Sequence, residues 1–160
     1  MKTLFVALRS AVFGTSFVLF WGWAAWSLHR RYDGMLGPLP EWTSSLGLAL
    51  LVAGGCLALA CITTFLTRGE GTPAPFDPPR KFVATGPYKF VRNPMYIGGG
   101  ITLLGFGLCE HSAAIVLSVP PWLLLAHLLL VLYEEPHLST TFGAPYDEYR
   151  RSVHRWLPTV

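Results

Sequence analysis

The stretch YKFVRNPMYIGGG at residues 88–100 places polar and cationic groups at the start of a long apolar segment. Asn93 is a favourable helix N-cap, and Pro94 suits the first helical position because no amide hydrogen is needed there. The sequence therefore predicts a helix that begins at this point. Its free N–H groups would attract an anion, and Lys89 and Arg92 add positive charge beside them.

Two aromatic residues give the same stretch a second preference. Tyr88 and Tyr96 lie on either side of the predicted cap, and an aromatic face attracts a cation at close range. The start of this helix could therefore hold a ligand that carries both a carboxylate and a cationic centre. An ordinary helix cap bordered by interfacial Lys, Arg and Tyr is the alternative interpretation.

Two adjacent carboxylates, Glu134 and Glu135, directly follow another apolar segment. Acidic side chains near a bilayer core are costly, so their presence favours a function. Either could accept hydrogen bonds from a ligand, or a proton from an amine or alcohol. His127 lies two helical turns earlier on roughly the same face and is a third candidate for proton transfer. The alternatives are a solvated helix end for the carboxylates and a bond to a neighbouring helix for His127.

The elements that must position these side chains are segments nearly free of charge, at residues 10–28, 42–67, 95–109 and 112–133. A bilayer core about 30 Å thick needs about 20 helical residues, so the third segment is short. Glu110, His111 and Ser112 separate the last two segments and predict the turn of a helical hairpin. The predicted fold is all-α: a polytopic membrane bundle of about four transmembrane helices with a C-terminal hairpin.

The basic residues favour one orientation in the membrane. Ten Lys and Arg lie on the side of both termini, against two on the other side, which predicts cytoplasmic termini. We expect a single domain over 1–160, with two N-terminal spans in 1–67, a cytoplasmic loop in 68–94, the hairpin in 95–135 and an interfacial tail in 136–160. The hairpin would return both carboxylates to the membrane face of Asn93, where a cofactor pocket would open to the cytosol.

Composition argues against two other classes of site. The net charge of +3 comes from cations that border apolar segments, which is typical of a membrane protein rather than a nucleic-acid binder. Cys56, Cys61 and Cys109 lie within apolar segments without metal-ligand spacing. We interpret them as small buried hydrophobic residues and expect no metal site.

The motif GPYKFVRNPMYIG, followed about 35 residues later by YEEPHLSTTFGAPYDEYRRSVHRWLP, resembles the integral-membrane methyltransferases. That superfamily includes the isoprenylcysteine carboxyl methyltransferases and the phosphatidylethanolamine N-methyltransferases. The similarity covers residues 80–158, about half of the chain. It implies S-adenosylmethionine as cofactor, S-adenosylhomocysteine as product, and cofactor binding by Arg80, Lys81, Phe82, Val83, Tyr88, Arg92, Asn93, Pro94, Met95, Tyr96, Glu134 and Glu135.

The resemblance further implies methyl transfer to a lipophilic acceptor at the membrane–cytosol interface, through a carboxyl, amine or thiol group. The acceptor could be a prenylated peptide, a lipid or a small hydrophobic molecule. Asn93 stands where the carboxyl methyltransferases have His, whereas the tail is closer to those enzymes. Two alternatives remain open: a non-enzymatic membrane carrier or structural protein, and an NADPH-dependent membrane reductase. The chain has no G-x-G-x-x-G turn, which weighs against the reductase.

Overall fold

A computed structural model describes residues 2–69 and 81–159, and its regular structure there is helical. The helices are α1 (Lys2–Leu36), α2 (Thr43–Thr64), α3 (Pro94–Cys109), α4 (Ala113–Leu129), α5 (Glu135–Phe142) and α6 (Ala144–Ser152). A π-helical turn at Phe65–Gly69 extends α2, a second at Leu130–Glu134 joins α4 to α5, and a 3₁₀ turn at Gly86–Lys89 precedes α3. Over these ranges the only β pairing is one isolated bridge, Pro38 to Ser112, so the all-α prediction is confirmed.

Two continuous helical segments in the described part of the chain are long and apolar enough to cross a membrane, Thr43–Gly69 and Ala113–Phe142. Only 17% of the most apolar window of each is buried, so their apolar side chains face outward. Such exposed surface suits contact with lipid. The third predicted span, α3, has only 16 residues. In the described part of the chain, length and composition therefore support two of the four predicted crossings.

The closest helix pairing joins α2 to α3 through glycine. A side-chain Cβ at Gly54 would lie 2.6 Å from the carbonyl oxygen of Gly98 and 2.7 Å from the amide nitrogen of Thr102. Gly47 meets Gly105 in the same way two turns along. Small residues let helix backbones approach closely where lipid offers no hydrophobic driving force. This contact holds α3 against the bundle.

The turn between α3 and α4 falls at Glu110, His111 and Ser112, where the sequence predicts it. The Ser112 hydroxyl accepts a hydrogen bond from the amide of Ile115 at 3.1 Å and thus caps α4. The carboxylate of Asp33 in α1 accepts from the preceding amide of the same helix start, that of Ala114, at 2.8 Å. The hairpin is therefore tied to α1 at this end, and α3 and α4 run back toward the end that carries the candidate residues.

The C-terminal segment packs onto the residues that precede α3. Phe82 contacts the rings of Tyr146 and Tyr149, with centroids 5.9 and 5.2 Å away. The Tyr149 hydroxyl donates to the carbonyl oxygen of Tyr88 at 2.6 Å, and the Arg92 amide donates to the His154 carbonyl at 2.9 Å. These contacts fold the tail over the start of α3.

Candidate active site

The start of α3 and the end of the long α4 segment meet at Tyr96 and Glu134. The Tyr96 hydroxyl donates a hydrogen bond to Oε1 of Glu134. Glu134 ends the π-helical turn that precedes Pro136. Proline lacks an amide hydrogen and clashes with the carbonyl one turn earlier, which accounts for the widened turn. The hairpin thus brings residues of the two separated motifs into direct contact.

Glu135 is the centre of a buried charge network. Its carboxylate accepts from Arg92 Nη1 at 2.9 Å, from Arg155 Nε at 2.8 Å and from Arg155 Nη2 at 2.9 Å. The residue is only 5% exposed, so these bonds compensate the cost of burying its charge. The same carboxylate raises the pKa of Arg155 above its ordinary value. Both oxygens of Glu135 are therefore occupied by arginine.

Arg92 retains an unused donor beside this network. Its side chain is 10% exposed, and its Nε–H has no hydrogen-bond partner within residues 2–69 and 81–159. A buried guanidinium N–H without an acceptor is unusual, so this group is a candidate donor to a ligand oxygen. Arg92 thus donates to Glu135 through Nη1 and keeps an Nε–H that has no acceptor in the described part of the chain.

The side chain of Asn93 does not cap α3 as the sequence predicts. Helix α3 begins at Pro94, as predicted, but the Asn93 side chain forms no cap. Its Nδ2 instead donates to the carbonyl oxygen of Arg155 at 3.2 Å. The side-chain cap was therefore predicted wrongly: a bond to a tertiary partner 62 residues away orients the side chain, and its Oδ1 accepts from no amide of α3. The Asn93 side chain therefore occupies none of the first amides of α3.

Several other predicted cofactor residues lie in packing positions. Tyr88 and Val83 are buried with Cys61 in a small core, against which Met95 packs. Burial raises the pKa of Tyr88 well above its ordinary value, so the phenol stays neutral. Phe82 packs on the tail tyrosines described above. These side chains are part of the packing beside the start of α3, and their cofactor role stays a prediction.

Arg80, another predicted cofactor-binding residue, lies outside the described residues. The amide of Lys81 donates to the carbonyl of Gly69 at 3.1 Å, and the residue is exposed. Pro94 is buried at the first position of α3. Among the described residues, no group of three or more His, Cys, Asp or Glu side chains could hold a metal ion.

His127 bonds to a different partner from those of the two glutamates. Trp156 donates its indole N–H to Nδ1 of His127 at 3.2 Å, so the histidine bonds to the tail rather than to another membrane helix. The role of Trp156 and of Arg155 is not evident from sequence, because isolated Arg and Trp residues in an amphipathic tail are typical of any membrane border. Only the folding of the tail over α3 brings them to the site.

The model of the phospholipid methyltransferase family matches residues 42–145, more than half of the chain. The chain belongs to the phospholipid methyltransferase family. It is 30% and 31% identical over 125 residues to the protein-S-isoprenylcysteine O-methyltransferases A and B of Arabidopsis thaliana, over 74% of this chain and 61% of each relative. It is 26% identical over 136 residues to the cobalt-zinc-cadmium resistance protein CzcN of Cupriavidus metallidurans, over 82% of this chain and 56% of that protein.

The similarity to known proteins covers only part of each curated relative. The chain spans less than two thirds of the length of the curated relatives it matches, and no solved structure matches it. The family segment contains Tyr96, Glu134 and Glu135 but ends before Arg155 and Trp156. Family membership and the apolar helices together indicate a membrane protein.

Proposed function

We propose that the protein transfers a methyl group from S-adenosylmethionine to a lipophilic acceptor at the cytosolic face of a membrane, releasing S-adenosylhomocysteine. Family membership supports the reaction class. The observation that carries the proposal is the contact of Tyr96 with Glu134, which joins the two motifs at one end of the hairpin. The acceptor atom would be a carboxyl oxygen, an amine nitrogen or a thiol sulfur.

The residues at this end of the hairpin fit a ligand with both signs of charge. The described contacts of Glu134 use only its Oε1, which leaves Oε2 for an ammonium group. Arg92 Nε and the first amides of α3 offer donors for a carboxylate. We assign the ammonium to Glu134 rather than Glu135, because both oxygens of Glu135 already hold guanidinium groups.

When bound, S-adenosylmethionine supplies an electrophilic methyl carbon on a positively charged sulfur, which the acceptor takes with its own electron pair. The chain contributes mainly orientation and exclusion of water. A carboxylate or thiolate acceptor needs no base, whereas an amine must lose a proton. Glu134 is the group we assign to that proton, with the Tyr96 hydroxyl holding the carboxylate in place.

We further propose that all four long helices cross the membrane, as a single domain over residues 1–160. The hairpin of 95–135 and both termini would then present the site to the cytosol, with the 136–160 tail in the interface. The excess of Lys and Arg on the terminal side supports this orientation. Cysteine substitutions at Glu110 and at Arg151, tested with an impermeant thiol reagent in sealed vesicles, should label from opposite sides.

Calorimetry on purified protein in detergent tests the reaction class. Wild-type protein should bind S-adenosylmethionine and S-adenosylhomocysteine, and NADPH should give no heat. Glu134→Gln keeps the shape of the side chain but removes its charge, so affinity for the donor should fall about 10- to 150-fold. Glu110→Gln changes the exposed carboxylate at the opposite end of the hairpin and should leave the affinity unchanged.

Three results would overturn these assignments. Equal donor affinity in Glu134→Gln and wild type would remove the carboxylate from the site. Binding of NADPH in place of S-adenosylmethionine would favour the reductase, and binding of neither would favour a non-enzymatic membrane protein.

A further inference from the structure

The three consecutive glycines of α3 pack against two different neighbours. A Cβ at Gly98 would lie 3.0 Å from the carbonyl oxygen of Gly54 in α2. A Cβ at Gly99 would instead lie 3.0 Å from Cη2 of Trp122 in α4, and one at Gly100 would lie 3.4 Å from Cζ3 of the same ring. Small residues let a neighbouring group approach the helix backbone closely. Gly99 and Gly100 therefore leave this face of α3 free for the Trp122 indole.

The Trp122 indole lies between two other aromatic rings. Its centroid is 6.3 Å from that of Tyr96 in α3, at an interplanar angle of 52°, and 6.1 Å from that of Trp21 in α1, at 82°. Trp122 is 8% exposed, and a closely packed ring has few alternative positions. Within residues 2–69 and 81–159, Trp122 is the one aromatic neighbour of Tyr96. The indole therefore limits where the Tyr96 ring can lie.

The position of the Tyr96 ring matters because of what its hydroxyl holds. The hydroxyl donates to Oε1 of Glu134, and the proposed function assigns Oε2 of the same carboxylate to the ammonium group of the methyl donor. A tyrosine side chain rotates about two bonds, and a neighbour that restricts both keeps its hydroxyl on one acceptor. A series of contacts therefore runs from Trp21 in α1 through Trp122 and Tyr96 to Glu134.

We propose that Trp122 is a positioning residue of the methyl-donor site. Supported by Trp21, it holds the Tyr96 ring so that Glu134 presents Oε2 to the ammonium group. The inference rests on the proposed function and deepens it. It also gives α1 a part in the site, although α1 ends before the family segment of residues 42–145 begins. Neither tryptophan belongs to the two motifs that carry the family resemblance.

Carbon-13 NMR of the purified protein in detergent tests the positioning without requiring activity. Tyrosine labelled at Cζ reports the hydrogen bond of its own hydroxyl, and the Tyr96 signal is the one that Tyr96→Phe removes. Glu134→Leu removes the acceptor and gives the signal of the unbonded phenol. Trp122→Leu should move the Tyr96 signal toward that value. Trp23→Leu removes a tryptophan that is 67% exposed and whose described ring contact is Phe20, so the signal should not change.

A second background separates the hydrogen bond from the direct magnetic effect of the lost indole. In Glu134→Leu the bond is already absent, so Trp122→Leu should shift the Tyr96 signal less there than in the wild type. A shift of equal size in both backgrounds would identify the indole as a neighbour that holds nothing, and would overturn the inference.

Gly99→Val is a second perturbation, which serves even where Trp122→Leu does not fold. It keeps every aromatic side chain but places methyl groups where the indole lies. The Tyr96 signal should move in the same direction as in Trp122→Leu. Gly55→Val adds the same bulk in open space and should leave the signal unchanged. An unchanged Tyr96 signal in Gly99→Val would contradict the inference.

Calorimetry with S-adenosylmethionine links the position of Tyr96 to the methyl-donor site. Trp122→Leu should lower the affinity about 2- to 10-fold, the range of an aromatic pair in contact. In Tyr96→Phe, which has no hydroxyl to position, the same substitution should cause no further loss. Trp122→Phe keeps a ring beside Tyr96 and should retain most of the affinity. Equal losses from Trp122→Leu in both backgrounds would show a general packing role and refute the positioning role.

Trp21→Leu tests the part assigned to α1. It should change the Tyr96 signal and the affinity in the same direction as Trp122→Leu, but by less, because Trp122 itself remains. Wild-type values for both measurements would remove α1 from the site.

Failure of the inference and failure of the proposed function give different results. A wild type that binds no S-adenosylmethionine but shows the expected Tyr96 signals would refute the proposed function, while the hydrogen bond held by Trp122 would stand. Binding of S-adenosylmethionine with equal affinity in wild type and Trp122→Leu would leave the reaction intact and overturn the inference.

Discussion

Replacement of Arg155 by alanine tests whether the tail is part of the site. The substitution removes the bonds from Nε and Nη2 to Glu135, at 2.8 and 2.9 Å. Among the described residues, it leaves Arg92 as the only guanidinium bonded to a carboxylate that is 5% exposed. Breaking a buried ion pair by removing one partner costs about 3–5 kcal/mol. The Arg155 side chain is 29% exposed, so water replaces part of the loss. We expect a decrease of about 3 kcal/mol in unfolding free energy.

Thermal unfolding in detergent measures this loss. A chain of this size changes its Tm by about 2–4 °C for each kcal/mol, so Arg155→Ala should lower Tm by about 6–12 °C. Arg151→Ala is the matched control, because Arg151 is exposed and its described hydrogen bond reaches only the Asp147 carbonyl one turn away. Equal Tm values for the two variants would show that the buried network does not hold the tail, and the proposed site would lose one wall.

Two further substitutions test the scaffold. Gly54→Val should destabilise the protein by about 3 kcal/mol, since its Cβ would overlap the α3 backbone, whereas Gly55→Val, with open space around it, should be tolerated in the same unfolding assay. Tyr149→Phe leaves the buried carbonyl of Tyr88 without its donor and should cost about 1–3 kcal/mol, against a negligible change for the exposed Tyr133→Phe. Burial also raises the pKa of Tyr149, so the stability that its neutral hydroxyl contributes is present below pH about 10 and should decline at higher pH. The unfolding free energy of Tyr149→Phe should therefore fall less steeply with alkaline pH than that of the wild type. Parallel alkaline profiles of the two proteins would contradict this.

The sequence by itself determined the elements that local chemistry controls. Pro94 begins α3 because proline fits the first helical position, and the polar residues 110–112 interrupt an apolar run too long for one crossing. Both features depend on neighbours in the chain, so residue type and spacing suffice to predict them. The all-α class and the pairing of two motifs at one end of the hairpin follow from the same local information.

Tertiary structure decided the role of each polar side chain. Glu134 and Glu135 are equivalent in sequence, yet one faces Tyr96 and the other is held by two arginines. Asn93 gives its amide to the Arg155 carbonyl instead of capping α3. The contact of Glu134 depends on how the hairpin closes, and those of Glu135 and Asn93 depend on where Arg155, 20 residues beyond Glu135, returns. Hydrogen bonds between distant residues leave no periodic signal in the chain. The sequence could therefore predict where the site lies but not how its charges are paired.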